Sequence, residues 1–190
     1  MISENILKTI LVMIELKSTH LLNHSIEVGH ISYLLGKTVN LSDDDCNKLK
    51  IAGYLHDLGK IAVNDNILLK PGQLSNKEYE QIKIHPLIAI QALKKIADSI
   101  IDNSILEAIL YHHESPDASG YFGKNSKEIP LLAKIIKIAD VFSAMTSERP
   151  YKKAYPLEFA ASYASRIFSD FQSNIIYDAL VACKMQNQCL

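Results

Sequence analysis

The chain has 190 residues, 48% of them hydrophobic, which suits a single domain with a sizeable core. Twenty Lys and Arg residues against twenty-one Asp and Glu leave a formal charge of −1, which argues against a nonspecific polynucleotide binder with a basic face. Cys46, Cys183 and Cys189 lack Cys-x-x-Cys spacing and read as reduced thiols of a soluble, cytoplasmic protein. The apolar stretch from Ile6 to Leu16 is interrupted by Lys8 and Glu15, so neither membrane insertion nor a signal peptide is expected.

Nearly every segment reads as helix. Residues 4–16 place Ile6, Ile10, Met13 and Ile14 on one face. A second helix over 18–39 carries His20, His24 and His30. At about 100° per residue, His20 and His24 share a face one turn apart, while His30 points about 120° from His24 and reads as a structural or surface histidine. Ser42 with Asp43, Asp44 and Asp45 opens a third helix, with a hydroxyl cap and carboxylates at the positive end of the dipole. That helix runs into Leu55-His56-Asp57-Leu58-Gly59-Lys60.

Residues 61–74 read as a loop, punctuated by Asn64, Asp65, Asn66 and Pro71-Gly72. Ser75 with Glu78 forms a capping box for the helix that carries His85, and Pro86 predicts a kink there or a break between two helices. A helix over 100–113 ends at His112-His113-Glu114, stopped by Ser115 and Pro116. Segment 115–129 is polar and irregular, a surface open to protein partners. Pro130 suits the first turn of a helix leading to Asp140, and helices over 156–169 and 173–186 follow. The expectation is an all-α, single-domain chain over 1–190.

His24, His56, Asp57, His85, His112, His113 and Asp140 lie on five segments and converge if the helices bundle around one cavity. Five imidazoles with two carboxylates suit two divalent ions bridged by Asp57. Mixed nitrogen and oxygen donors favour iron or manganese over magnesium or calcium. Taken singly, each histidine also fits a bland role: His112-His113 as cations at a helix C-terminus, His85 as a satisfied, partly buried residue.

The blocks also stand in a recognisable order: His24-Ser25; His56-Asp57-Leu58-Gly59-Lys60-Ile61; Leu68-Leu69-Lys70-Pro71-Gly72-Gln73-Leu74; His85-Pro86; His112-His113-Glu114; Asp117 before Gly120-Tyr121; Ile138-Ala139-Asp140-Val141-Phe142-Ser143-Ala144-Met145-Thr146-Ser147; and Arg149-Pro150-Tyr151-Lys152. Over residues 19–153 the chain resembles the HD-GYP family of the HD phosphohydrolase superfamily. The resemblance implies an HD-domain helical bundle around a central metal site. It implies hydrolysis of cyclic di-GMP, or a related cyclic dinucleotide, at two or three divalent ions.

Carried over, the metal ligands are His24, His56, Asp57, His85, His112, His113 and Asp140. Asp57 and Lys60 are the expected catalytic pair, and Lys60, Tyr121, Arg149 and Lys152 the substrate contacts. Three-metal members carry a glutamate four residues before the first histidine. His20 holds that place, which makes it a further ligand candidate beside an exposed or capping role.

The sequence departs from the family at three places. Gly-Tyr-Pro reads Gly120-Tyr121-Phe122, the glycine after the loop aspartate is Ala118, and a basic residue three after the first histidine is Glu27. None is a metal ligand. Two other readings stay open: a binding module with little turnover, and a nucleotide phosphohydrolase of the same superfamily.

Overall fold

Ser3, Ser18, Ser42, Ser75 and Asp102 each offer a side-chain oxygen to a backbone N–H at a helix start, so local chemistry sets where the helices begin. The computed structural model describes residues 2–97, 100–148 and 153–187. Its elements are α1 (Glu4–Lys17), α2 (Thr19–Thr38), α3 (Asp43–Leu55), a 3₁₀ turn (Leu58–Ala62), α4 (Asp65–Leu68) and α5 (Asn76–Lys83). They continue with α6 (His85–Ala97), α7 (Asn103–Tyr111), α8 (Leu131–Thr146), α9 (Leu157–Ala164) and α10 (Ser173–Asn187). Among the described residues the sole strand-like pairing is an isolated bridge between Asp117 and Asn125. The all-α expectation holds.

Helices α2 and α8 run through the middle. α2 packs on α1, α3, α8 and α10, and α8 packs also on α7 and α9. Ile135, Ile136, Ile138, Ala139 and Phe142 of α8 are fully buried or nearly so. Truncating a buried phenylalanine such as Phe142 costs about 3–5 kcal/mol. α2 and α3 approach closely at paired glycines: a Cβ on Gly53 would lie 2.7 Å from the Gly29 nitrogen.

Several expectations need correction, among them the helix expected over 156–169, which ends at Ala164, and the one over 100–113, which spans Asn103–Tyr111. Met13 is 49% exposed, although Ile10 and Ile14 of the same helix are buried. α1 is apolar on more than one face, and packing against α2 chose the Ile10–Ile14 side. Residues 61–74 are also not a plain loop, because the 3₁₀ turn reaches Ala62 and Asn64 caps α4, accepting the Asn66 N–H at 2.9 Å. Pro86 marks a break, with α5 ending at Lys83 and α6 beginning at His85. No helix among the described residues is long and apolar enough to cross a membrane.

Candidate metal centre

His56 follows the last turn of α3, His85 the last turn of α5 and His112 the last turn of α7. Each places Nδ1 on the carbonyl three residues back: His56 on Gly53 at 2.7 Å, His85 on Ile82 at 2.8 Å and His112 on Ile109 at 2.7 Å. A carbonyl can only accept, so Nδ1 carries a hydrogen and, in the neutral ring, Nε2 keeps its lone pair. All three lone pairs therefore belong to the ring edge away from the helix carbonyls. Gly59 brings the His-Asp turn against α6, where a Cβ would sit 2.7 Å from the His85 carbonyl carbon.

The donor atoms then gather in three overlapping groups: His24, His56 and Asp57; Asp57, His85, His112 and His113; and His56, His112 and Asp140. All seven expected residues are brought together, with Asp57, His56 and His112 each shared between two groups. Whether the residues fit ions can be asked of the polar atoms. His56 Nε2, Asp57 Oδ1 and His113 Nε2 are buried without a hydrogen-bond partner. Asp57 lies 3.3 Å from both His56 Nε2 and His85 Nε2, near in distance but not aligned for a hydrogen bond. The Nε2 atoms of His85 and His112 face each other at 3.4 Å, two lone pairs with no hydrogen between them. Such contacts are unfavourable in a dry interior unless a cation sits among them. The site fits divalent ions.

His24 is set by a longer chain of contacts. The Glu27 carboxylate can only accept, so the Ser143 hydroxyl donates to it at 2.6 Å. Ser143 can then accept from His24 Nδ1 at 2.9 Å, while His24 Nε2 lies within hydrogen-bond reach of Asp140 Oδ1, also at 2.9 Å. Lys184 of α10 pairs with Glu27 from the other side. The sequence departure at Glu27 thus belongs to a network joining α2, α8 and α10.

Charge in the centre follows from burial and neighbours. Burial drives His113 down to about 3, so its ring is neutral and able to ligate near pH 7. His112 is likewise lowered by burial and by the other imidazoles. Burial pushes the Asp57 carboxyl up, but His56 and Lys60 outweigh it and hold it well below the usual range. For His56, burial opposes charge, yet Asp57 and Asp140 win and raise its pKa. Lys60 donates to Asp57 Oδ2 at 2.6 Å.

Tyr121 closes one side, its ring 4.4 Å from the His113 ring and 6.3 Å from that of His85. The loop that presents it hangs on Glu114, only 1% exposed, which accepts the Phe122 N–H at 2.8 Å and the Lys124 N–H at 2.6 Å. Gly120 lies so close that a Cβ would meet Glu114 Oε1 at 2.6 Å. Ala118 adopts φ 62°, the left-handed region that glycine tolerates best. Glu114 and Ser143 were quoted in the sequence motifs without a role, since their partners lie in other segments or across the loop.

His20 is exposed, one turn before His24, and lines two cavities with it, though none of the three donor groups includes it. His30 is structural, its Nε2 2.9 Å from the Tyr54 hydroxyl. Arg149 and Lys152 lie outside the described residues.

This helical bundle gathers histidines and aspartates from several helices into one cluster that could hold metal ions. The sequence matches the HD domain over residues 8–170, and the chain belongs to that family. Among curated relatives, the cyclic di-GMP phosphodiesterase response regulator RpfG of Xanthomonas campestris pv. campestris is 40% identical over 137 residues, covering 72% of this chain and 36% of the relative. The 3′3′-cGAMP-specific phosphodiesterase 3 of Vibrio cholerae is 35% identical over 149 residues, covering 78% of this chain and 32% of the relative. The chain spans about a third of the length of the curated relatives it matches. Among solved structures, the HD domain of the Listeria monocytogenes phosphodiesterase PgpH aligns with a TM-score of 0.70 at 16% identity, covering 94% of this chain and 98% of that one. That likeness speaks for the fold.

Proposed function

We propose that the chain is a metal-dependent phosphodiesterase that opens cyclic di-GMP, or a related cyclic dinucleotide, to the linear dinucleotide and, after a second cut, to GMP. The observation that carries this is the gathering of imidazole nitrogens around Asp57, with His56 Nε2, His113 Nε2 and Asp57 Oδ1 buried and unpartnered. The relatives' names supply the substrate class. His24, His56, Asp57 and Asp140 would hold one ion, and Asp57, His85, His112 and His113 the other. Iron or manganese suits this donor set, and His20 is the candidate for a third ion beside His24. Bound there, divalent ions supply Lewis acidity for phosphodiester hydrolysis.

The chain's own groups do the rest. Lys60 fixes Asp57 and puts a cation at the mouth of a 310 Å³ cavity over the centre, where it offsets phosphate charge. Tyr121 covers His113 and keeps water from that side. By the family resemblance, Arg149 and Lys152, which lie outside the described residues, would add phosphate contacts. Water adds to phosphorus, the bond to the sugar oxygen breaks, and that oxygen leaves with a proton.

The test is metal analysis and product analysis of the metal-loaded protein with cyclic di-GMP and with 3′3′-cGAMP, beside Asp57→Ala. The expected result is ring opening by the wild type. The variant should lose both ions and turnover while keeping its helical circular dichroism. Wild-type protein that binds either dinucleotide without cutting it would leave a binding module instead. Near-normal turnover in Asp57→Ala would overturn the shared-ligand reading.

A further inference from the structure

The cavity at the metal centre does not end there. His113, Asp140 and Ala144 line both the 310 Å³ cavity that holds Lys60 and a second one of about 520 Å³. The second is walled by Lys137, Tyr155, Phe159 and Tyr163. Lys137, Phe159 and Tyr163 in turn line a third space of about 700 Å³ that reaches Asp117 and Arg166. One trough therefore runs from Lys60 across the metal centre to the face of α9.

That face is aromatic and open. Phe159 and Tyr163 sit one turn apart, 53% and 58% exposed, and Tyr155 stacks on Phe159 at 5.4 Å and 29°. Core packing does not explain them, because the buried side of α9 is Ala160, Ala161 and Ala164. Two cations accompany the rings. Lys137 donates to the His113 carbonyl at 3.3 Å and so stands beside a ligand of the centre, and Arg166 stands at the far end. Asp117, whose carboxylate accepts from the Ser119 hydroxyl at 2.7 Å, is an acceptor and suits base N–H groups. Flat rings beside cations form the usual platform for nucleobases joined by phosphates.

We propose that the α9 face is a base-binding subsite: one purine of the cyclic dinucleotide stacks on Phe159 and Tyr163, with the phosphate away from the reaction near Lys137 and Arg166. The proposal rests on the function proposed above and deepens it. With the scissile phosphate at the ions, the other half of a cyclic dinucleotide has to lie along the trough. The 520 Å³ side is wider than the Lys60 side. Stacking there selects for bases in general, while Asp117 favours a base edge with N–H donors, as guanine has.

The test compares kcat/KM for cyclic di-GMP with kcat/KM for bis(p-nitrophenyl) phosphate, a diester without bases. It is run on metal-loaded wild type, Phe159→Ala, Tyr163→Ala and the conservative Phe159→Tyr. In each alanine variant the ratio should fall on the order of tenfold, chiefly through KM, and Phe159→Tyr should restore it. An unchanged ratio, or an equal fall for both substrates, overturns the subsite. If the wild type cuts no cyclic dinucleotide, the proposed function fails separately. Calorimetric binding of cyclic di-GMP to the same proteins then decides: weaker binding in the alanine variants supports the platform, and equal binding or none removes it.

Discussion

Phe122 stands where the family pattern has proline, and the structure says what a proline would remove. The Phe122 N–H donates to the buried Glu114 carboxylate at 2.8 Å, and proline has no N–H. Losing a hydrogen bond to a charged, desolvated acceptor costs about 1.5–3 kcal/mol. Phe122→Pro also loses the ring, which meets Tyr111 edge-on at 5.7 Å, a pair worth about 0.5–1.5 kcal/mol. Phe122→Ala isolates that second loss because it keeps the N–H. Urea unfolding of the three proteins should place Phe122→Pro about 1.5–3 kcal/mol below Phe122→Ala. For a chain of this size that is roughly 3–12 °C in melting temperature. Equal stability of the Pro and Ala variants would refute the anchoring of the loop by Glu114.

Ala118→Gly should raise the melting temperature, because the left-handed φ costs alanine about 1–2 kcal/mol while glycine's extra freedom in the unfolded chain returns about 0.4–1; a lower melting temperature counts against it. Ser143→Ala breaks the contact that fixes His24 and should weaken ion binding about 10–100-fold in a chelator competition, with equal affinity as the refuting result. The third concerns acid. The Ser104 hydroxyl and amide, with Lys48, hold Asp102 at about 2, below its unfolded value near 3.9. Its stabilisation is therefore present above about pH 4 and lost as pH falls towards about 2. The stability gap between wild type and Asp102→Asn should close over that window, and a gap independent of pH would contradict the assignment.

The helices and the clustering of the histidines and aspartates were legible because each of these residues sits beside a start or stop signal or on an apolar-periodic helix. His56 follows the Ser42-capped helix, His112 precedes Ser115-Pro116, and Asp140 ends the apolar run from Leu131. Which way each imbalance resolves was not legible. Met13 and Ile14 are both apolar, and only the neighbouring helix decides that one is exposed. Glu27 read as a departure because the family carries a basic residue there, and its partner Lys184 lies too far along the chain to be seen from the motif. Tyr155, Phe159 and Tyr163 recur at a spacing of four, to which the sequence alone attached no role. The meaning of that spacing depends on α9 lying beside His113 and Asp140, which no local pattern states.

The Nδ1 contacts of His56, His85 and His112 carry one more consequence. Gly53, Ile82 and Ile109 all lie in the last turn of a helix, where backbone carbonyls lack partners within that helix. Each imidazole therefore finishes the helix behind it with the same ring that it turns towards the centre. An aspartate or cysteine put in its place could still offer a donor atom, but it has no N–H to give the carbonyl. Exchanging one of these candidate ligands would remove a helix-end hydrogen bond as well as change the donor. Drift towards another metal chemistry is thereby tied to the integrity of three separate helices, and histidine is held at these positions from both sides of its ring.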